Sequence, residues 1–356
     1  MDQLAVAVVG YGLAGSVFHA PLIAAEPRMR VAAVVTASQE RAEQARAEHP
    51  GVRVWATAQQ MFVEDEDVDL AVIATPNRLH APLALQALAA GLPVVVDKPF
   101  AVTAADAEEV VEAAARADLP LSVFQNRRWD NDFLTVRDLI ERGELGAVRR
   151  FESRFERWRP VPKGGWREVG DAEDGAGILF DLGSHLVDQA LTLFGPVTEV
   201  YAELDRRRPE VKADDDAFIA LTHADGTRSQ LWMSAVAPQL GPRMRVLGAT
   251  NGYTVAGLDP QEDDLRAGRR PGDGKPWGTV TADRWGTFGA GEDLHTVPTL
   301  PGDYPAFYAG MAAALLDGAP VPVDPRDAVE TLRILTGASA IQKLHLRLQV
   351  VLQANG

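Results

Sequence analysis

Residues Leu4 to Gly15 read LAVAVVGYGLAG, an apolar run that ends directly in a glycine-rich turn. An apolar run without alternation is typical of a strand in a parallel sheet that is covered on both faces. The turn has the glycine spacing of a dinucleotide fingerprint, which permits a tight turn, close approach of a pyrophosphate and close helix packing. We therefore predict that a dinucleotide cofactor is bound by Gly10, Gly12, Leu13 and Gly15. A tight turn without a ligand is the alternative.

Four further apolar runs follow, at residues 31–35, 70–74, 94–97 and 121–124. The segments between them are rich in alanine and have the length and periodicity of helices. This βαβ series predicts an α/β fold, with a Rossmann domain over residues 1–122 that contains a doubly wound parallel sheet.

The pattern changes after about residue 124. Segments such as 147–157 and 198–204 alternate apolar and polar residues, which favours antiparallel strands with one solvated face. We predict a C-terminal α+β domain over residues 123–356 with a largely antiparallel open sheet. Residues 259–301 are crowded with Gly, Pro and Asp, and they predict a long irregular excursion.

Composition limits the classes of partner. The 356 residues carry a formal net charge of −15 and no dense run of Lys and Arg, which argues against nucleic acid or an anionic membrane surface. The absence of cysteine excludes disulfides, thiolate metal sites and a cysteine nucleophile. Because no segment resembles a signal peptide or a membrane span, we expect a cytoplasmic protein that acts on a small molecule.

The segment after the second apolar run bears on the cofactor. NAD-specific proteins usually place an acid there for the ribose hydroxyls, whereas this chain has Thr36, Ser38 and Arg41. These three residues suit the 2′-phosphate of NADP, so we predict NADP(H), with NAD(H) still possible. An ordinary helix start capped by Ser38 is the alternative.

Polar residues also follow two later apolar runs, where ligands of open α/β sheets bind. Residues 75–80 read TPNRLH, and Asp97 precedes Lys98 and Pro99. Lys98 would lie at the mouth of the cofactor crevice and is predicted to hold a substrate hydroxyl or to relay its proton, although a lone lysine is often only solvated surface.

A third group lies at Asp181, His185 and Asp188, which share one face at helical spacing. A carboxylate one turn from an imidazole orients the ring and supports its protonated form, as a general acid–base requires. The alternative is that Asp181 and His185 only stabilise the helix as a side-chain pair. The spacing also fits a metal site, but no second ligand cluster accompanies it and we predict no metal.

Together these motifs resemble the Gfo/Idh/MocA oxidoreductases, the family of glucose-fructose oxidoreductase and inositol dehydrogenase. The resemblance covers nearly the whole chain, and it is greatest to the branch of NADP-dependent scyllo-inositol dehydrogenases. It implies that Lys98 contacts nicotinamide and substrate, that His185 is the acid–base and that Asp181 is its acidic partner. It also implies a cofactor site that includes Thr75, Asn77, His80 and Asp97.

The chain departs from the family at Asp97, where glutamate is usual, so the side chain there is one methylene shorter and carries the same charge. The resemblance further implies that the open face of the second sheet mediates a homodimer or homotetramer. Substrate contacts are predicted at Arg128, Trp129, Trp166 and Asp188, since aromatic and arginine side chains suit a polyol but are equally common in interfaces.

The predicted reaction is hydride transfer between NADP(H) and a CH–OH or C=O group of a cyclitol or sugar-like polyol. One alternative is a reductase of a non-sugar carbonyl or imine. Another is a nucleotide sensor without catalysis, and a third is a metal-dependent lyase or hydrolase.

Overall fold

The computed structural model describes residues 3–165, 168, 170 and 175–354. The chain forms two compact units and enters each of them more than once. The first comprises Met1–Asp130, Asp259–Thr279 and Pro301–Val329, and the second comprises Asn131–Leu258, Val280–Leu300 and Glu330–Gly356. The boundary between residues 122 and 123 stays a prediction, because these units divide the chain by compactness and not at a single point.

Six parallel strands form the sheet of the first unit, as far as the described residues show. They are β1 (Leu4–Val9), β2 (Met29–Val35), β3 (Arg53–Trp55), β4 (Leu70–Ile73), β5 (Val94–Asp97) and β6 (Leu121–Phe124). The order β3-β2-β1-β4-β5-β6 is that of a Rossmann fold, so the predicted doubly wound parallel sheet is confirmed. β1 is buried as its apolar run predicts, since residues 5–9 are each at most 2% exposed.

Helices connect these strands. A π-helical turn (Ala14–His19) continues into α1 (Ala20–Ala25), and it is followed by α2 (Gln39–Glu48), α3 (Ala58–Glu64), α4 (His80–Ala89) and α5 (Ala104–Ala117). Ser38, Thr57 and Thr103 cap three of them, and each side chain accepts the backbone N–H three residues on. Because such caps satisfy N–H groups that lack a helical partner, local sequence fixes where these helices begin.

The second unit combines helices with a mostly antiparallel sheet. Its helices include α6 (Asn131–Glu141) and a π-helical turn (Leu179–Gly183) that continues into α7 (Ser184–Phe194). Its strands are β7 (Val148–Glu156), β8 (Val197–Asp205), β9 (Asp216–His223), β10 (Arg228–Ser234), β11 (Met244–Gly248), β12 (Gly252–Val255), β13 (Gly286–Ala290) and β14 (Asp293–Val297).

The order of this sheet is β14-β13-β12-β11-β7-β10-β9-β8, and its pairs are antiparallel except for β7 with β10. The predicted largely antiparallel sheet is therefore confirmed. Buried and half-buried residues alternate along β9, as expected for a sheet with one packed face.

α7 is fixed on the packed face of this sheet by both apolar and polar contacts. The rings of Phe194 and Phe151 lie 5.4 Å apart. The buried guanidinium of Arg243 donates to Ser153 Oγ (2.6 Å) on β7 and to Gln189 Oε1 (3.1 Å) on α7. The helix that carries His185 is thus held by a hydrogen-bonded charge as well as by packing.

The irregular excursion predicted for residues 259–301 is wrong in part. The segment contains α8 (Gln261–Arg266) and the hairpin of β13 and β14, which pairs with β12 at the end of the sheet. β13 reads GTFGA, and β14 is exposed over its first four residues. Neither strand therefore has the apolar alternation that would have predicted it.

Two long helices close the chain, α9 (Pro305–Asp317) and α10 (Pro325–Ala354). Within the described residues, no helix combines the length and the apolar character that a membrane span requires.

Candidate active site

The glycine turn after β1 is shaped by close backbone contacts. Gly10 has φ +99°, and a Cβ there would lie 2.5 Å from Ala74 O at the end of β4. A Cβ on Gly15 would lie 2.0 Å from Gly10 O. Above Gly12, in contrast, the nearest atom to such a Cβ is Arg41 Nη1 at 3.8 Å. The turn thus leaves an open cradle at the start of a helix, which fits a dinucleotide pyrophosphate.

The loop after β2 holds the residues predicted for the 2′-phosphate. Ser38 Oγ accepts the N–H of Arg41 (3.4 Å), and Thr36 Oγ1 accepts the N–H of Ser38 (3.2 Å). Both hydroxyl oxygens therefore support the start of α2, as the alternative interpretation of Ser38 expects. Arg41 is exposed, and its guanidinium is the group that lies beside Gly12.

His80 is predicted to line the cofactor site, but its side chain is buried. It is 1% exposed, and its Nδ1 and Nε2 atoms lie 2.8 Å from the carbonyl oxygens of Pro99 and Thr75, respectively. Burial lowers the pKa of its imidazole, while the Asp97 carboxylate acts in the opposite direction. The ring joins the segments that follow β4 and β5. Its direct contact with a cofactor stays a prediction, as do those of Thr75 and Asn77.

Asp97 and Lys98 form the turn at the end of β5. Asp97 Oδ1 accepts the backbone N–H of Lys98 (2.9 Å) and lies 3.7 Å from Nε2 of the buried His19. Burial alone would raise the pKa of the Asp97 carboxyl, but His19, His80 and the Lys98 charge outweigh burial and hold that pKa below its ordinary value. Asp97 is therefore a carboxylate beside the candidate catalytic lysine. The sequence motifs did not single out His19.

In the second unit, Asp181 lies in the π-helical turn and His185 in the first turn of α7. His185 is 5% exposed and Asp188 is 2% exposed, whereas Asp181 is partly exposed. α7 is therefore buried on both faces near its start, including the face on which the spacing places His185 and Asp188. π-Helical turns of this kind occur frequently at functional sites.

The start of this turn is held by Asp214, which the sequence motifs also missed. Asp214 Oδ2 accepts the N–H of Leu179 (2.7 Å), and its backbone oxygen accepts the N–H of Ile178 (2.9 Å). Burial raises the pKa of the Asp214 carboxyl to about 6. The only signal in the sequence is the acidic run 214–216, which gives no indication of a contact with residue 179.

The predicted substrate contacts are placed as follows. Arg128 Nη2 lies 3.0 Å from Asp327 Oδ2, and Trp129 packs edge-on against Phe307 with ring centroids 5.8 Å apart. Both residues thus have partners inside the first unit, and their contact with substrate stays a prediction. Trp166 lies outside the described residues.

Comparison with known proteins identifies the class. Residues 4–125 match the model of an oxidoreductase family with an NAD-binding Rossmann fold, and residues 133–254 match that of the GFO/IDH/MocA C-terminal domain. The chain is 40% identical over 336 residues to the uncharacterized oxidoreductase YdgJ of Escherichia coli (strain K12), covering 94% of this chain and 95% of that protein.

The chain is also 32% identical over 347 residues to scyllo-inositol 2-dehydrogenase (NADP(+)) IolW of Bacillus subtilis (strain 168), covering 96% and 95% of the two chains. A solved structure of an oxidoreductase from Bacillus cereus has a TM-score of 0.86 at 26% identity, over 95% of this chain and 96% of that one.

The fold and these matches define an oxidoreductase with an NAD-binding Rossmann domain. The chain belongs to the Gfo/Idh/MocA family, and the resemblance stated from its motifs is confirmed.

Gly12 offers a test of the cradle. Gly12→Ala should lower NADPH affinity by about tenfold or more, because the added methyl group enters the open space without meeting protein. Its thermal unfolding should stay close to that of the wild type. Gly15→Ala is the matched control, and it should lose roughly 1–3 kcal/mol of stability through its clash with Gly10 O. Fluorescence titration and thermal unfolding measure both effects. Unchanged NADPH binding by Gly12→Ala would contradict the cradle.

Asp214 gives a prediction about pH and stability. Since burial raises the folded-state pKa of this acid to about 6, its contribution to stability is present below an unfolded-state pKa of about 4 and is lost as pH rises through about 6. Asp214→Asn stays neutral and can still accept the Leu179 N–H. It should be about 1–3 kcal/mol more stable than the wild type at about pH 8, and this advantage should vanish near pH 4.

Denaturant unfolding across this pH range measures the effect of Asp214→Asn. Asp67→Asn, at a carboxyl whose side chain is 80% exposed, controls for the change in net charge. A stability difference that does not vary with pH would contradict the prediction.

Proposed function

We propose that this protein transfers a hydride between NADP(H) and a CH–OH or C=O group of a cyclitol or sugar-like polyol. The observation that carries the proposal is the buried His185, which lies one turn after Asp181. The chain belongs to an oxidoreductase family and also has Lys98 directly after β5. The name of IolW, a scyllo-inositol 2-dehydrogenase that uses NADP(+), supports this substrate class.

The roles of the residues follow from their chemistry. The bound nicotinamide supplies the hydride acceptor or donor. In the direction of oxidation, His185 takes the hydroxyl proton, and the carboxylate of Asp181 supports the imidazolium that results. The Lys98 ammonium holds a hydroxyl or carbonyl oxygen of the substrate. In the direction of reduction, His185 returns the proton.

NADP(H) is proposed over NAD(H) because Arg41, in the first turn of α2, places a guanidinium beside Gly12, and the loop directly after β2 has no acid. A guanidinium is suited to bind a phosphate with two hydrogen bonds. The hydroxyl groups of Thr36 and Ser38 lie in the same loop and can donate to phosphate oxygens while their oxygens support α2.

The first experiment follows the absorbance of reduced nicotinamide with NADP+ and with NAD+ against inositol isomers and aldoses. Turnover with a cyclitol or sugar is expected, and His185→Ala should lower kcat by about 10²–10⁴-fold with NADPH affinity within about twofold of the wild type. His295→Ala, at an exposed histidine on β14, is the control. Loss of NADPH binding in His185→Ala would contradict its assignment as the acid–base.

The same assay separates the rival functions. No turnover of any polyol, together with turnover of a non-sugar carbonyl or imine, would replace the proposed substrate class. Tight NADPH binding without turnover of any of these compounds would favour the nucleotide sensor.

Arg41→Ala should raise the KM for NADP+ about tenfold or more and leave the KM for NAD+ within about twofold, because only NADP+ presents a 2′-phosphate to the guanidinium. Arg46→Ala, at an exposed arginine one turn further along α2, is the matched control and should change neither KM. Equal losses with both cofactors would show that Arg41 does not select NADP+.

We also propose that the chain forms a homodimer or homotetramer through the outer face of the second sheet. Tyr201, Phe218 and Trp232 form a row of aromatic rings on adjacent strands, with centroid separations of 6.4 and 5.0 Å, and Tyr201 is 47% exposed. Exposed aromatic rows rimmed by charge are typical of interfaces. Trp232→Glu should shift the mass in sedimentation towards the monomer, whereas Val63→Glu, at a 75% exposed residue of the first unit, should not.

A further inference from the structure

The buried side chains of His19 and Tyr308 and the half-buried side chain of Asp97 form a polar cluster next to the Lys98 turn, and all three lie in the first unit. His19 ends the π-helical turn that follows the glycine-rich segment, and Tyr308 lies in α9. Both are 0% exposed, and His19 Nδ1 lies 2.6 Å from Tyr308 Oη. On the other edge of the ring, His19 Nε2 faces Asp97 Oδ1 at 3.7 Å.

One arrangement of the protons satisfies the hydrogen bond between Tyr308 and His19 and directs the remaining ring proton at the Asp97 carboxylate, 3.7 Å away, where the contact is electrostatic and longer than a hydrogen bond. Burial and the Asp97 charge raise the pKa of the Tyr308 phenol well above its ordinary value, so the phenol keeps its proton. If the phenol donates to Nδ1, the ring proton is on Nε2 and points towards the carboxylate. In the opposite tautomer, the Nε2 lone pair would face a carboxylate, and the phenol proton would have no acceptor among the hydrogen bonds found for the described residues.

We propose that Tyr308 and His19 are positioning residues for Lys98 through a polar chain of contacts. The Tyr308 hydroxyl donates to His19 Nδ1, and the His19 Nε2–H is directed at the Asp97 carboxylate in an electrostatic contact of 3.7 Å. The last link is the hydrogen bond from the Lys98 backbone N–H to Asp97 Oδ1, at 2.9 Å. The role of Lys98 in the reaction belongs to the proposed function, and the inference rests on it to that extent.

The polar contacts from Tyr308 through His19 to Asp97 connect two parts of the predicted cofactor site. His19 lies in the helical turn that begins at the glycine cradle, and Asp97 ends β5 directly before Lys98. Two further charged or titratable groups face Asp97, namely the His80 ring and the Lys98 ammonium. Because buried polar contacts have directional geometry that apolar packing lacks, this chain specifies the orientation of the turn. The packing of His19 against Phe124, at 4.4 Å between ring centroids, keeps the ring in place.

The tautomer of His19 is measured directly by ¹⁵N NMR of the histidine side chains at about pH 8, well above the ordinary pKa of histidine. We expect a proton on Nε2 and an Nδ1 that accepts a hydrogen bond, and the Nδ1 resonance should shift when Tyr308 is changed to Phe. A proton on His19 Nδ1 would overturn the proposed arrangement of contacts. This readout needs neither substrate nor turnover, so it stands independently of the proposed function.

Kinetics test the consequence for Lys98. Tyr308→Phe keeps the ring packed but removes the donor, and it should lower kcat about tenfold while the KM for NADP+ stays within about twofold. Tyr304→Phe is the matched control, since the Tyr304 hydroxyl is equally buried one turn earlier but donates to Asp130 Oδ1 (2.7 Å) and not to His19. It should leave kcat unchanged. Equal kcat for the two variants would overturn the positioning role.

A pair of substitutions at His19 separates positioning from packing. The amide of His19→Gln can accept from Tyr308 and donate to Asp97, whereas His19→Leu can do neither. We expect kcat of the Gln variant to exceed that of the Leu variant about tenfold. Equal kcat would overturn the proposal, while an inactive wild type with a proton on His19 Nε2 would contradict the proposed function alone.

Discussion

The close approach of backbone segments at Gly10 is the constraint on which the first unit depends. The carboxyl ends of β1 and β4 lie side by side there, and the following helix begins directly beneath them. A side chain at Gly10 or Gly15 would meet a carbonyl oxygen at 2.5 or 2.0 Å, so the arrangement exists only while both positions are glycine. The same packing leaves the space above Gly12 open. The glycine turn that the strand pairing requires therefore also provides space for a dinucleotide.

The order of the parallel strands then brings the candidate functional residues of the first unit to one edge of the sheet. β1, β2, β4 and β5 are neighbours in the order β2-β1-β4-β5, so the residues that follow them share one edge although they are distant in sequence. The cradle, Arg41, the segment after β4 and Lys98 are brought there by topology alone. Because these residues lie in loops or in the first turn of a helix, cofactor preference can change with a single residue there while the sheet stays the same.

A half-buried carboxyl group supports the candidate catalytic element in each unit, and the charges around the two carboxyl groups differ. Asp97 is surrounded by two histidines and a lysine, which together hold its pKa down against burial. The Asp214 carboxylate accepts the backbone N–H of Leu179 in the turn that leads to His185, and burial raises the pKa of this carboxyl to about 6. The Lys98 turn therefore has an ionised support over a wide pH range, whereas the support of the His185 turn titrates near neutral pH.

The sequence by itself determined β1, β2, β4, β5 and β6 of the first sheet, the glycine turn, the family and the residues proposed for catalysis, because short-range periodicity and motif spacing encode them. It did not determine the hairpin of β13 and β14, whose residues lack alternation. Only the tertiary structure paired His19 with Tyr308, which is 289 residues away, and Asp214 with Leu179. It also showed that both nitrogens of His80 face backbone carbonyls. Such contacts depend on which strands are neighbours and on which way each side chain points, and no local pattern records either.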